Sequence, residues 1–321
     1  MVYVVLLLLL GFVVLIAGAS ALVNGASDLA RRFGVSDLAI GLTIVAFGTS
    51  APEWVVNVMA SFQNHPEIVF SNILGSNIIN LFIILGLAGL ITPLVVQTGT
   101  VWKEIPVSLF SLVVMFLLVN NFFILQNKSL SRIDGAVLLV LFGLFLFYVF
   151  RQLKGRDQEN ELPQKKFSVW KITGLLILGF ACLITGGRLI VANAIEIATI
   201  FGISEKIVGL TIVALGTSLP ELATSVVAAI KKNSDIAVGN IIGSNIFNIL
   251  FILGTSAIIR PVVYNPVFNI EMYFLVIGTC ILFLAMFTGK KKKLDRWEAG
   301  VLIILYLVYL FYITNPAVQI F

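Results

Sequence analysis

Charge is scarce in this chain: Asp, Glu, Lys and Arg make up 12% of its 321 residues, against 59% hydrophobic residues, where a soluble domain carries about one quarter charged. That shortage excludes an ordinary soluble fold, and it makes the net charge of +5 a topology signal rather than the footprint of a nucleic-acid partner. Histidine is nearly missing too. The single one, His65, falls in a short connection where a solvated role is expected. The two cysteines, Cys182 and Cys280, sit inside apolar runs and read as free thiols serving as small hydrophobes, so neither a disulfide scaffold nor a Cys/His metal cluster is available. With no His, Cys or Asp cluster, an intramembrane enzyme fits poorly and no cofactor is indicated.

What the chain does have is long hydrophobic runs. At about 1.5 Å per residue each is long enough to cross a hydrocarbon core of about 30 Å, and they are too uniformly apolar to be barrel strands. Ten helical spans are expected near residues 2–26, 37–61, 68–92, 105–122, 133–150, 170–198, 205–229, 236–259, 270–288 and 297–314. The first begins at Val2 without a preceding basic segment and reads as a retained span rather than a cleaved signal. The clearly polar connector is Arg151 to Lys166, a solvated linker. The chain therefore divides into a first five-helix repeat (1–150), a linker (151–168) and a second five-helix repeat (169–321).

The division is written into the residues. Gly41 to Glu53 reads GLTIVAFGTSAPE and Gly209 to Glu221 reads GLTIVALGTSLPE, an offset of 168, and between Phe33 and Leu81 the same offset gives 24 identities in 49 positions without a gap. Five spans separate the copies; an odd number turns the second upside down in the membrane, predicting an inverted repeat about a pseudo-two-fold axis in the membrane plane. Connections after spans 1, 3, 5, 7 and 9 hold sixteen Lys and Arg, from Arg31 to Arg296, while the other side holds Lys128, Arg132, Lys206 and Arg260. Both termini are then expected outside and the linker in the cytoplasm.

Of 16 acidic residues only Glu53 and Glu221 fall near the centre of a span. A carboxylate at that depth costs about 2.5–3.5 kcal/mol or more and demands a counter-charge or ligand. Ser50-x-x-Glu53 and Ser218-x-x-Glu221, with Pro52 and Pro220, also match a helix-start capping box, yet a helix that starts in mid-bilayer is tolerated only where backbone is buried in protein or lines a polar cavity. Breaks at Gly48 and Gly216 would free carbonyls near Ala46, Thr49, Ala214 and Thr217, and carbonyl oxygens suit hard cations. Each copy adds a second segment, NILGSNIIN from Asn72 to Asn80 and NIIGSNIFN from Asn240 to Asn248. Ser76 and Asn80 share a helix face, as do Ser244 and Asn248, and suit ligand duty. Gly75, Asn77, Gly243 and Asn245 read equally well as helix-packing positions.

These paired GTSxPE and GSNxxN segments resemble the two alpha repeats of the sodium/calcium exchanger branch of the cation/calcium antiporter superfamily, of prokaryotic type, over essentially the whole chain. The resemblance implies ten helices with broken helices 2 and 7, four cation positions between helices 2, 3, 7 and 8, exchange of three sodium ions for one calcium ion, and helices 1 and 6 sliding across a rigid core. It implies Glu53 and Glu221 shared between the ions, the Thr49 and Thr217 carbonyls completing a calcium position, Ala46, Ser50 and Ser76 with Ala214, Ser218 and Ser244 forming two sodium positions, and Asn80 and Asn248 lining the middle. Because neither of those last two is an acid, potassium dependence is not expected. Ser71 in place of a glycine, Trp54 beside Glu53, and Arg188, the one basic residue inside a span, are given no role.

An electrogenic sodium/calcium antiporter in the cell membrane is the function expected, with calcium, sodium and lipid as its partners and no obligatory protein partner. The nearest rival is a calcium/proton exchanger of the same superfamily. Such relatives usually carry an additional acid within the asparagine-containing segments, and Ile73 to Ser76 and Ile241 to Ser244 contain none. An ion channel fits less well, since an inverted repeat within one chain belongs to alternating access.

Overall fold

In the computed structural model, residues 2–120, 129–154, 168–201, 214–288 and 292–314 are described. They fold almost entirely as helices: α1 (Val2–Phe33), α2 (Asp37–Thr49), α3 (Ala51–Phe62), α4 (Pro66–Ile91), α5 (Thr100–Val119) and α6 (Arg132–Lys154), then α7 (Val169–Ile200), α8 (Ala214–Thr217), α9 (Leu219–Ile230), α10 (Ser234–Ile259), α11 (Asn269–Ala285) and α12 (Arg296–Thr314). Among the described residues eight helices are long and apolar enough to cross a membrane, and α2 with α3 makes a ninth, bent by 48°. The expected span at 205–229 retains α8 and α9; residues 202–213, and the linker from 155 to 167, lie outside the described residues. Among the described residues, the eight long helices and the bent pair fall where nine of the ten apolar runs placed them.

α4 and α10 are the enclosed helices, while α1, α6, α7, α11 and α12 present apolar surface outward. That is the expected arrangement for a bundle whose solvent is lipid, where the interior carries the polar groups. α4 and α10 therefore have buried polar side chains among buried apolar ones: Ser76, Asn77 and Asn80 on α4, and Asn240, Ser244, Asn245 and Asn248 on α10.

The two halves touch each other reciprocally. α1 packs along α7 through glycines: a Cβ on Gly18 would lie 2.9 Å from Leu183 N, and one on Gly186 would lie 2.7 Å from Leu15 N. Positions 18 and 186, like 15 and 183, are related by the offset of 168, so residue i meets j and the copy of j meets the copy of i, the mark of a two-fold contact. Missing side chains let the backbones come close, the usual means of holding membrane helices together. α6 packs on α10 and α12 packs on α4 in the same crossed manner. Two short antiparallel ribbons repeat it: β1 (Leu94–Val95) pairs with β4 (Lys293–Leu294), and β3 (Val262–Val263) pairs with β2 (Ser129–Leu130).

Among the described residues, some contacts between the halves have no such twin. At the end of α9, Lys231 Nζ donates to Ser20 O, Ser20 Oγ and Asn24 Oδ1 at 3.0, 2.9 and 2.8 Å, tying α9 to α1. The residues at the corresponding places of the other copy are Gln63, Arg188 and Ala192, and both Gln63 and Arg188 are exposed.

Candidate ion-binding site

Each half carries one broken helix. The break lies at Ser50, with φ −82° and ψ 5°, between α2 and α3, and at Ser218, with φ −87° and ψ 5°, between α8 and α9. This corrects the expectation of breaks at Gly48 and Gly216, which sit within the preceding helical segments. The cause is proline: Pro52 and Pro220 occupy the first turn of α3 and α9, lack the N–H that a continuous helix would give to residues 48 and 216, and crowd those carbonyls. Gly48 serves a different purpose. A Cβ there would lie 1.8 Å from the ring of Phe180 on α7, and one on Gly216 would lie 2.2 Å from Val191 Cγ2, also on α7.

The breaks place Glu53 and Glu221 in the first turns of α3 and α9, each 1% exposed. A helix start favours an anion, but a carboxylate taken out of water needs further partners. Hydroxyls answer part of this. Ser50 Oγ donates to Glu221 Oε1 at 3.0 Å, and Ser218 Oγ donates to Glu53 Oε1 at 3.4 Å. The capping-box reading is thereby corrected: neither serine side chain caps its own helix, because a buried carboxylate across the interface is the stronger acceptor for the hydroxyl. Thr217 and Ser218 face Glu53, and Thr49, Ser50 and Ser244 face Glu221.

The backbone of each broken helix is held by asparagines that the sequence displays without explaining. Asn72 Nδ2 donates to Glu53 O at 3.3 Å and to Asn57 Oδ1 at 2.6 Å. Asn240 Nδ2 donates to Glu221 O at 3.5 Å and to Ser225 Oγ at 3.0 Å, while Asn240 Oδ1 accepts from Thr49 Oγ1 at 3.0 Å. Asn57 and Ser225 were not singled out from sequence; the one signal was that they occupy equivalent places in the two copies. Along α4, Ser76 and Asn80 follow Asn72 at successive helical turns, and Ser244 and Asn248 follow Asn240 along α10. The helices change to π geometry at Ile79–Ile84 and Phe247–Ile252, a widening frequent at functional sites, so Asn80 and Asn248 both stand in widened turns.

These hydrogen bonds leave a residue of unmet acceptors. Glu53 Oε2, Glu221 Oε2, Asn80 Oδ1 and Asn248 Oδ1 are buried and have no hydrogen-bond partner. An unsatisfied buried acceptor costs about 1–3 kcal/mol, more when charged, and a set composed of oxygens alone is complementary to a hard cation. Of the other expected ligands, Ser50, Ser218, Ser76 and Ser244 are buried, as is Thr49. The Ala46 carbonyl is already engaged, accepting from Ser50 N at 3.0 Å and Thr49 Oγ1 at 3.3 Å. Ala214 and Thr217 form the ends of the short α8. Among the described residues there is no group of three or more His, Cys, Asp or Glu able to hold a metal; the acidic residues of this cluster are Glu53 and Glu221.

Around the site, Trp54 Nε1 donates to Thr255 Oγ1 at 3.3 Å and its ring lies 5.7 Å from that of Phe251. Ser71 is exposed, whereas a Cβ on its counterpart Gly239 would lie 2.9 Å from Leu38 O, which accounts for glycine in that copy. Arg188 is exposed on α7, His65 is exposed ahead of α4, and Cys182 and Cys280 are free thiols.

Fold and site together describe a helical membrane protein whose two broken helices meet at a buried cluster of side-chain oxygens. The family model for the sodium/calcium exchanger protein matches residues 3–151 and 171–315, and the chain belongs to the sodium/calcium exchanger family, whose members are transporters rather than enzymes and whose substrates are the ions. The chain is 38% identical over 313 residues to the putative antiporter CaxA of Alkalimonas amylolytica, covering 94% of this chain and 95% of that one. It is 33% identical over 350 residues to the sodium/calcium exchanger MaX1 of Methanosarcina acetivorans, covering 96% and 98%. A solved structure of the sodium-calcium exchanger NCX_Mj superimposes with a TM-score of 0.83 at 33% identity, covering 97% of this chain and 98% of the other.

Proposed function

We propose that this protein is a secondary active antiporter exchanging sodium for calcium by alternating access through one site shared between its halves. The observation that carries the proposal is the set of four buried, unpartnered oxygens, two from carboxylates and two from amides, at equivalent places in the two copies. Glu53 and Glu221 are the carboxylates both ions share. Calcium takes six to eight oxygens, and the Thr49 and Thr217 carbonyls with Asn80 and Asn248 help to fill that shell. Ser50, Ser76 and Ala46, with Ser218, Ser244 and Ala214, form two flanking sodium positions; the Ala46 carbonyl must give up one of its present hydrogen bonds to serve.

Charge sets the coupling. Two carboxylates give the site about −2 without ions, about 0 with one calcium ion and about +1 with three sodium ions, so one net charge moves per cycle at that ratio. A pair holding calcium cannot also hold all the sodium, which makes the two loads mutually exclusive. Asn at 80 and 248, where an acid would accompany potassium, supports potassium-independent exchange. Ten spans in two inverted halves (1–150 and 169–321), with outward termini and linker 151–168 in the cytoplasm, are supported by the ungapped offset, the crossed contacts and the distribution of Lys and Arg. No partner protein is needed.

The test is calcium uptake into proteoliposomes under an imposed sodium gradient, compared with an imposed pH gradient at matched voltage. Sodium-driven uptake that Glu53→Gln or Glu221→Gln abolishes is expected. Uptake driven by the proton gradient alone would transfer the function to the calcium/proton rival, and robust sodium-driven flux in either variant would remove the carboxylates from the site.

A further inference from the structure

Two asparagines beside the site, Asn77 and Asn245, are 1% and 6% exposed and have been given no part in ion binding. Each lies three residues before the asparagine that lines the site, Asn80 or Asn248, yet each bonds to the one on the opposite half. Asn80 Nδ2 donates to Asn245 Oδ1 at 3.1 Å, and Asn248 Nδ2 donates to Asn77 Oδ1 at 2.9 Å.

An asparagine amide has two nearly isosteric ends of opposite character, one accepting and one donating. Which end faces a cation decides whether the residue attracts or repels it. Turned the present way, Asn80 and Asn248 commit their nitrogens to the crossed bonds and leave both Oδ1 atoms buried without a partner. Turned over, each would bring its oxygen against another amide oxygen and aim N–H groups at the place where the unpaired carboxylate oxygens lie. The crossed bonds oppose that rotation, and one of them is itself anchored: Asn77 Nδ2 donates to the main-chain carbonyl of Asn245 at 3.4 Å. A main-chain carbonyl cannot turn over, so it fixes Asn77, and Asn77 in turn fixes Asn248.

Taking the antiport site above as given, we propose that Asn77 and Asn245 are positioning residues that hold the Asn248 and Asn80 amides oxygen-inward, and so set the affinity of the middle of the site for its cation. The repeated spelling SNxxN thereby acquires a purpose for both asparagines: the second offers the oxygen, and the first fixes the oxygen of the other half.

The prediction is a crossed coupling. Asn245→Ala frees the Asn80 amide to turn, and the calcium concentration for half-maximal binding is expected to rise on the order of tenfold, the factor that about 1.4 kcal/mol represents. In an Asn80→Asp background the side chain presents oxygen whichever way it turns, so adding Asn245→Ala should change calcium binding less than about twofold. Asn77→Ala should couple in the same way to Asn248→Asp and not to Asn80→Asp. Asn245→Leu removes the same acceptor at close to the side chain's own volume and should weaken calcium binding to a similar degree; it serves as the second variant if the alanine form is unstable. Binding is followed by calorimetric titration of purified full-length protein, with the melting temperature recorded for each variant. Equal losses in the asparagine and aspartate backgrounds, or coupling within one half instead of across the halves, would overturn the proposal. Wild-type protein that binds no calcium would instead sink the antiport function on which it depends.

Discussion

Ser50 and Ser218 bind across the interface rather than along the chain, and that choice links the two carboxylates into one unit: the segment that starts one glutamate's helix supplies a donor to the other glutamate. Removing a hydrogen bond to a charged group costs about 1.5–3 kcal/mol, and Ser50 is in addition a proposed sodium ligand. Ser50→Ala should therefore raise the sodium concentration for half-maximal calcium efflux on the order of tenfold or more; an unchanged sodium dependence would remove Ser50 from the ligand set. At this scale the two glutamates are legible in the sequence because a carboxylate in mid-span calls for a cause. The serines resemble caps because S-x-x-E is a local pattern, and nothing local tells a hydroxyl that a carboxylate from 171 residues away will be the better acceptor. The roles of Asn77 and Asn245 are hidden for the same reason: their partners come from the other copy.

Among the elements, α7 lies against the segment ahead of each break, with Phe180 over Gly48 and Val191 against Gly216. A methyl group at position 48 would overlap the phenyl ring, and overpacking of this kind costs about 1–3 kcal/mol. Gly48→Ala is expected to lower the melting temperature and slow exchange by pushing α7 off the core, and Phe180→Ala in the same chain should restore both; failure of that rescue would show that position 48 matters through its backbone and not through α7. The spans are legible because their apolar runs are long, and the pairing of halves because an ungapped offset keeps every backbone position in step. The break falls beyond the glycine expected to make it because a proline disturbs the carbonyl four positions earlier while the chain turns between the two. The π turns are not visible in the sequence, since a change of hydrogen-bond register leaves no mark on residue identity, and the two-residue strands are too short to show alternation.

For the whole molecule, the proposed site charge has a direction as well as a size. With sodium inside the vesicle and calcium outside, one positive charge leaves per cycle, so an inside-positive potential set by ionophore should accelerate calcium uptake and an inside-negative one should slow it. Rates indifferent to voltage would show that the stoichiometry is electroneutral. The copies are, however, not identical, and the tie from Lys231 to Ser20 and Asn24 is one place where they differ. A perfectly duplicated chain would be indifferent to which of two mirrored postures it adopted, like a coin with identical faces. Lys231 directs its ammonium donors at α1, whereas its counterpart Gln63 carries no charge, and the places that would answer it hold Arg188 and Ala192 instead of a serine and an asparagine. The coin is weighted: Lys231, Ser20 and Asn24 give one face a tie that Gln63, Arg188 and Ala192 do not offer the other.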